Sequence, residues 1–255
     1  MRDLKTSIDI FPLGDSAITI DLGNLIEDSL NGRALAIAAW LKDHPFPGLQ
    51  DIIVAYSSVS VFYDPFIVRN GVVDCPDGAF GCVKRRLEEA WNAVSSSQPE
   101  NGAPGNLVRV PVCYEEAYGP DLSLLSRAKG ISREELIHLH GSVVYRIYMI
   151  GFLPGFPYMG KVHPLLATPR KDRPATVQAG GVGIAGDQTG IYPVNSPGGW
   201  HIIGRTPLSL FDPHAALPVL FAPGDPVQFV AISAAEFRDM SRPQALYSRG
   251  SCRDT

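Results

Sequence analysis

The sequence is poor in cysteine and has no paired cysteine spacing. Cys75, Cys82, Cys113 and Cys252 form no Cys-x-x-Cys, and no histidine stands at zinc-ligand spacing from them. This excludes the common structural zinc modules, predicts no metal site, and favours reduced structural thiols. Long apolar runs are missing too: nothing approaches the roughly 18 residues of a membrane span. The start, Met1-Arg2-Asp3-Leu4-Lys5, lacks the apolar core of a signal peptide, so the expectation is a cytoplasmic protein with no membrane partner. Charge of one sign never accumulates. The net charge is -4, and the densest basic run, Lys84-Arg85-Arg86, reads as a solvated helix face, which excludes a nucleic-acid footprint. There is no Gly-x-x-x-x-Gly-Lys-Ser/Thr phosphate loop, so no nucleotide site of that type is visible in this sequence. Ser196 is in no Gly-x-Ser-x-Gly elbow, which weakens a serine-hydrolase reading.

What is present is turn chemistry. With 25 glycines and 22 prolines in 255 residues, the chain calls for many turns and a β-rich architecture, and it is long enough to bury a core without staples. Ile8 to Leu22 reads as two strands around Gly14-Asp15. Leu30, Ala34, Ile37, Ala38 and Leu41 fall on a helical period that His44-Pro45 ends. Ile52 to Tyr56 and Val59 to Tyr63 suggest a hairpin, and Val83 to Val94 a second helix. Residues 1–97 therefore read as a small α/β sandwich. The Ser, Gly and Pro of residues 98–105 offer nothing to bury and predict a linker. A second domain, 106–242, opens with a strand at Leu107 to Cys113 and a helix from Asp121 to Lys129 closed by Gly130. Ser132 and Glu135 predict a capping box for a helix through His140. From Val143 on, short apolar runs between Gly and Pro suggest an all-β barrel, and residues 243–255 a flexible tail.

The densest unusual stretch is Tyr145 to Pro207, where Gly, Pro and aromatics crowd around a few polar groups. Gly151 to Gly160 would hold aromatics on a rigid loop, which fits either a packed Ω-loop or a binding wall. Gly181-x-Gly183-x-x-Gly186 matches the dinucleotide fingerprint in form only, because Pro193 and Pro197 forbid the helix that must follow. Arg205 can clamp a carboxylate or phosphate, or serve a structural ion pair. His44, His138, His163 and His214 read as surface or cap residues.

Leu139-His140, Tyr145-Arg146-Ile147-Tyr148, the run Gly151 to Gly160, Ala167-Thr168-Pro169-Arg170, Gly183-Ile184-Ala185-Gly186, Gln188 to Pro193, Ser196 to Trp200 and Ile203 to Thr206 occur together and in order. In this series the chain resembles the B-subunit family of bacterial 5-oxoprolinases, also called the KipI or allophanate-hydrolase-subunit-1 family. The resemblance implies a small α/β domain followed by a cyclophilin-like β-barrel, an α+β fold in all. It also implies one half of a carboxyltransferase-type domain that works with C and A subunits to convert 5-oxo-L-proline to L-glutamate at the expense of ATP, with the nucleotide bound mainly by a partner subunit. Within the matching motifs, residue type suggests His140, Gln188, Tyr192 and His201 for catalysis. Phe156, Tyr158, Arg170, Thr189, Trp200 and Arg205 are the candidates for holding substrate. One departure is Val177-Gln178-Ala179-Gly180-Gly181, which lacks the hydroxyl the family carries near position 181. Two other readings stay open: a KipI-like inhibitor of a histidine kinase, and a component acting on allophanate or urea.

Overall fold

The computed structural model describes residues 8–71, 77–96 and 107–242. The chain divides into two compact units, Met1–Ala103 and Pro104–Thr255. The expected linker at 98–105 and tail at 243–255 lie outside the described residues.

In the first unit, β1 (Asp9–Pro12) and β2 (Ala17–Asp21) form an antiparallel hairpin, and β3 (Leu49–Val54) and β4 (Ser58–Tyr63) form a second. They assemble in the order β1-β2-β4-β3. Helix α1 (Asp28–Asp43) buries Leu30, Ala34, Ile37, Ala38 and Leu41, the stripe its periodicity specifies. α2 (Pro65–Gly71), which the sequence reading missed, precedes α3 (Gly78–Ser96). α3 starts earlier than expected and buries Cys82, Val83, Leu87 and Ala90. The alternation of β4 places Val59, Val61 and Tyr63 in the same core as Ile18, Ile20 and Leu22, each such side chain contributing ~1.5–3 kcal/mol. One expectation is corrected. Cys82 is disulfide-bonded, while Cys113 is free and buried. Sequence spacing does not reveal which thiols a fold brings within bonding reach.

The second unit is a closed barrel. β5 (Val108–Cys113), β6 (Tyr145–Ile150), β7 (Pro157–Gly160), β9 (Gly181–Ala185), β10 (Gln188–Ile191), β12 (His201–Arg205) and β13 (Pro226–Ile232) close in the order β10-β7-β6-β13-β5-β12-β9. Only the β13–β5 pairing in this ring is parallel. A two-stranded ribbon of β8 (Ala175–Val177) and β11 (Ser196–Gly198) stands beside it. Val110, Val112, Tyr145, Ile147, Met159, Val182, Ile184, Ile191 and Phe229 fill the interior. Helices α4 (Leu122–Lys129) and α5 (Arg133–Gly141) add Leu122, Leu125 and Leu136 to that core.

Ser132 caps α5 by accepting from the Glu135 N–H at 3.0 Å. The carboxylate that reaches the Ser132 hydroxyl is that of Glu134, not Glu135 as expected. The reciprocal capping box belongs to α6 (Ala234–Met240), between Ser233 and Glu236. Among the described residues no helix is long and apolar enough to cross a membrane.

Candidate functional site

The site starts from two glycines. Gly183 of β9 and Gly190 of β10 face each other in register, on the barrel's outer side, because their neighbours Val182, Ile184 and Ile191 fill its interior. Together they leave bare backbone where a sheet normally carries side chains. A Cβ on Gly190 would lie 2.9 Å from the Phe156 ring, and one on Gly183 would lie 3.0 Å from the Trp200 Cβ. The aromatics occupy that vacated layer.

Phe156, 1% exposed, is the hub. Its ring centroid lies 4.7 Å from Tyr158, 5.1 Å from Tyr192 and 5.5 Å from Trp200, the last two edge to face, the geometry that ring quadrupoles favour. Gly198 lets the β11 turn lie against Tyr192, since a Cβ there would sit 2.4 Å from the Tyr192 hydroxyl. These residues, with Phe152, Arg170, Pro174, Pro197 and Gly199, line a cleft of about 250 Å³.

Burial raises the phenol pKa of both Tyr158 and Tyr192. For Tyr192, a hydrogen bond from the Trp200 backbone and then the Arg170 charge act against that rise; for Tyr158, Arg170 alone does. Both phenols therefore stay protonated at neutral pH and serve as hydrogen-bond donors, not bases. The Arg170 side chain is exposed at the rim, and no salt bridge engages it among the described residues.

The segment carrying Arg170 is fastened on both sides. The Lys171 N–H donates to Gly199 O at 2.8 Å, and His201 Nε2 donates to Pro169 O at 3.0 Å. Asp121 Oδ2 accepts from Lys171 Nζ at 2.7 Å and from the Ile202 N–H at 2.7 Å, while the Asp121 N–H donates back to Ile202 O at 2.9 Å. One carboxylate thus ties the start of α4, β12 and the 169–171 segment together.

Of the sequence-derived candidates, Phe156, Tyr158, Arg170, Tyr192 and Trp200 meet in the cleft. The others do not line it. His140 is fully buried in the barrel, stacked on Phe229 at 4.4 Å. Tyr114 Oη donates to its Nδ1 at 2.9 Å, its Nε2–H meets Thr189 Oγ1 at 3.0 Å, and Thr189 Oγ1 donates to Gly183 O at 3.0 Å. Every polar atom of that chain is used, and desolvation pushes the His140 pKa down to about 3. Such an imidazole stays neutral and has no open partner for proton transfer, so His140 and Thr189 act as a polar pin inside the barrel. Gln188 is half-buried on β10.

Arg205 donates to Ala179 O at 2.7 Å and to Gln178 Oε1, with its guanidinium over Phe237; this is a structural role, made of hydrogen bonds and not the ion pair considered from sequence. His201 Nδ1 and Ser196 Oγ are the two buried side-chain atoms without a hydrogen-bond partner among the described residues, and they flank the turn 197–200 that forms one cleft wall. Sequence reasoning missed Phe152, Gly198 and Asp121. The first two sit inside motifs it did single out; Asp121 carries no local signal, because its partners are 50 and 81 residues away.

The closed barrel, its glycine platform and the aromatic layer on it define the class first: residues 8–221 match the family model of the carboxyltransferase domain, subdomain C and D. Within that class, the chain is 42% identical over 226 residues to the B subunit of 5-oxoprolinase from Bacillus subtilis, covering 88% of this chain and 93% of that protein. It is 36% identical to the corresponding B subunit from Escherichia coli O157:H7, covering 86% and 93% of the two chains. The crystal structure of TTHA0988 superposes with a TM-score of 0.71 at 35% identity, covering 86% of this chain but 40% of that one. The chain belongs to the B-subunit family of 5-oxoprolinases.

Proposed function

We propose that this chain is the B subunit of an ATP-dependent 5-oxoprolinase and that its aromatic cleft holds 5-oxo-L-proline for ring opening to L-glutamate, in a hetero-oligomer with C and A subunits. The observation that carries this reading is the pairing of a small aromatic-walled cleft with one uncommitted guanidinium. A five-membered lactam presents flat amide and apolar methylene faces to Phe156, Tyr158, Tyr192 and Trp200, while its carboxylate takes a charge-assisted pair with Arg170. The protonated phenols of Tyr158 and Tyr192 donate to the lactam carbonyl, where negative charge develops as the amide is attacked. His201 contributes by holding Pro169 and with it Arg170.

ATP fits this cleft poorly. A triphosphate calls for several cations or a nest of backbone amides, and the lining supplies one arginine in about 250 Å³. We assign the nucleotide to a partner subunit. That TTHA0988 carries a region like this chain within a chain more than twice as long supports a second half acting beside this one.

The experiment is equilibrium binding to the assembled complex without ATP, comparing 5-oxoproline with 2-pyrrolidone, the same lactam without the carboxylate. Wild type should prefer 5-oxoproline by roughly 10–100-fold, the worth of one charge-assisted pair, and Arg170→Ala should erase that preference. A preference that survives Arg170→Ala would remove the cleft from the reading.

A further inference from the structure

At the mouth of the cleft, Phe152 is held where neither its backbone nor its side chain is favoured by this chain alone. Its φ is +66°, the left-handed region in which a bulky residue is strained, and the residue is 66% exposed. Leu153 N–H donates to Gly151 O at 2.8 Å, closing a three-residue turn with Phe152 at the apex, the rare γ-turn form when the central φ is positive. The turn is braced. Gly151 N–H donates to Phe156 O at 3.1 Å, and Phe156 N–H to Leu153 O at 3.0 Å. The Gly155 backbone lies so close to Leu210 and Phe211 that an added Cβ would be 3.1 and 3.2 Å from them.

Glycine would adopt this φ without strain, and a polar side chain would suit this exposure; phenylalanine meets neither demand. The other non-glycine residue with positive φ among the described residues is Asn24, a type that tolerates it. The Phe152 ring is nevertheless aimed. It lines the cleft and stands edge-on to Phe156, with centroids 5.9 Å apart and planes at 88°, so it extends the aromatic layer toward solvent as an incomplete wall.

We propose that Phe152 is a specificity-determining residue of the cleft, whose ring covers the methylene face of a small saturated cyclic amide while Arg170 holds the carboxylate at the other edge. This rests on the ligand reading given above. The strain is retained because the covering contact forms only when the ligand is bound, so binding gains apolar burial that the empty site lacks.

The test uses the complex assembled with its partner subunits, reading KM and kcat for 5-oxoproline, together with thermal unfolding of this chain. Phe152→Gly should melt at the same or a higher temperature, because the backbone strain is relieved, yet raise KM by roughly tenfold with kcat within about twofold. Phe152→Tyr should keep the wild-type KM, and Phe152→Asn should behave like the glycine variant. A structural role would instead lower the melting temperature. An unchanged KM in Phe152→Gly while Arg170→Ala raises it overturns the role of Phe152 and leaves the cleft; an unchanged KM in both overturns both. Failure of Phe152→Gly to assemble, with normal KM in the fraction that does, would make the ring a partner anchor and overturn the inference.

Discussion

His140 shows how burial decides a residue's chemistry. Its position in a matching motif suggested a proton carrier, but no water reaches it, and the chain from Tyr114 through His140 and Thr189 to Gly183 fixes its tautomer. The folded-state pKa of about 3 lies below the ordinary value, so the unfolded chain takes up the proton first as pH falls. Stability from this group is fully present above about pH 6.5 and declines by ~1.4 kcal/mol per pH unit toward about pH 3. Tyr114 and Tyr145, whose pKa values burial raises, do not titrate in that window. Urea unfolding followed by tryptophan fluorescence should show ~2 kcal/mol lost between about pH 6.5 and 5. His140→Gln, though less stable at neutral pH, should lack that component; an identical slope in the variant would contradict the pin. Arg170 is the opposite case: its charge is exposed and unclaimed by any carboxylate among the described residues. Sequence could name Arg170 but could not tell it from Arg205, because only the fold shows that Arg205 is spent on Ala179 and Gln178.

At the level of elements, the hairpins, α1 and the cap of α5 were legible because their signals are local: alternation, a 3.6-residue period, and Ser132 at the N-cap. The site was legible in part. The glycines and aromatics of residues 151–200 stood out, but that Gly183 and Gly190 form one platform depends on strand register, which periodicity does not give. Asp121 was illegible, since a carboxylate at a helix start reads as a cap. Here it ties three segments, so Asp121→Asn should lower affinity for 5-oxoproline by roughly 5–10-fold while costing ~1–3 kcal/mol of stability. Calorimetric titration with parallel thermal melts would separate the two, and unchanged affinity would mean that Arg170 is positioned without this tie. Gly198→Ala should cost ~1–3 kcal/mol through overpacking against Tyr192 and weaken binding further than its melt explains. An alanine tolerated in both assays would show that the turn and the tyrosine are not in the contact described.

For the whole molecule, the barrel followed from the distribution of turns and apolar runs, whereas the family rested on an ordered series of motifs that no physical pattern supplies. In the function proposed above, a cleft with one arginine and two neutral phenols holds and polarises a lactam. The ATP-dependent step falls, in the same proposal, to the partner subunits. The most direct measurement is ATP-dependent glutamate release from 5-oxoproline by the C and A partners with this chain, without it, and with its Arg170→Ala form. Glutamate should appear only in the three-component mixture and fall by about tenfold or more at limiting substrate with Arg170→Ala. Full release by the partners alone, or no release from a stably assembled wild-type complex, would contradict the assignment.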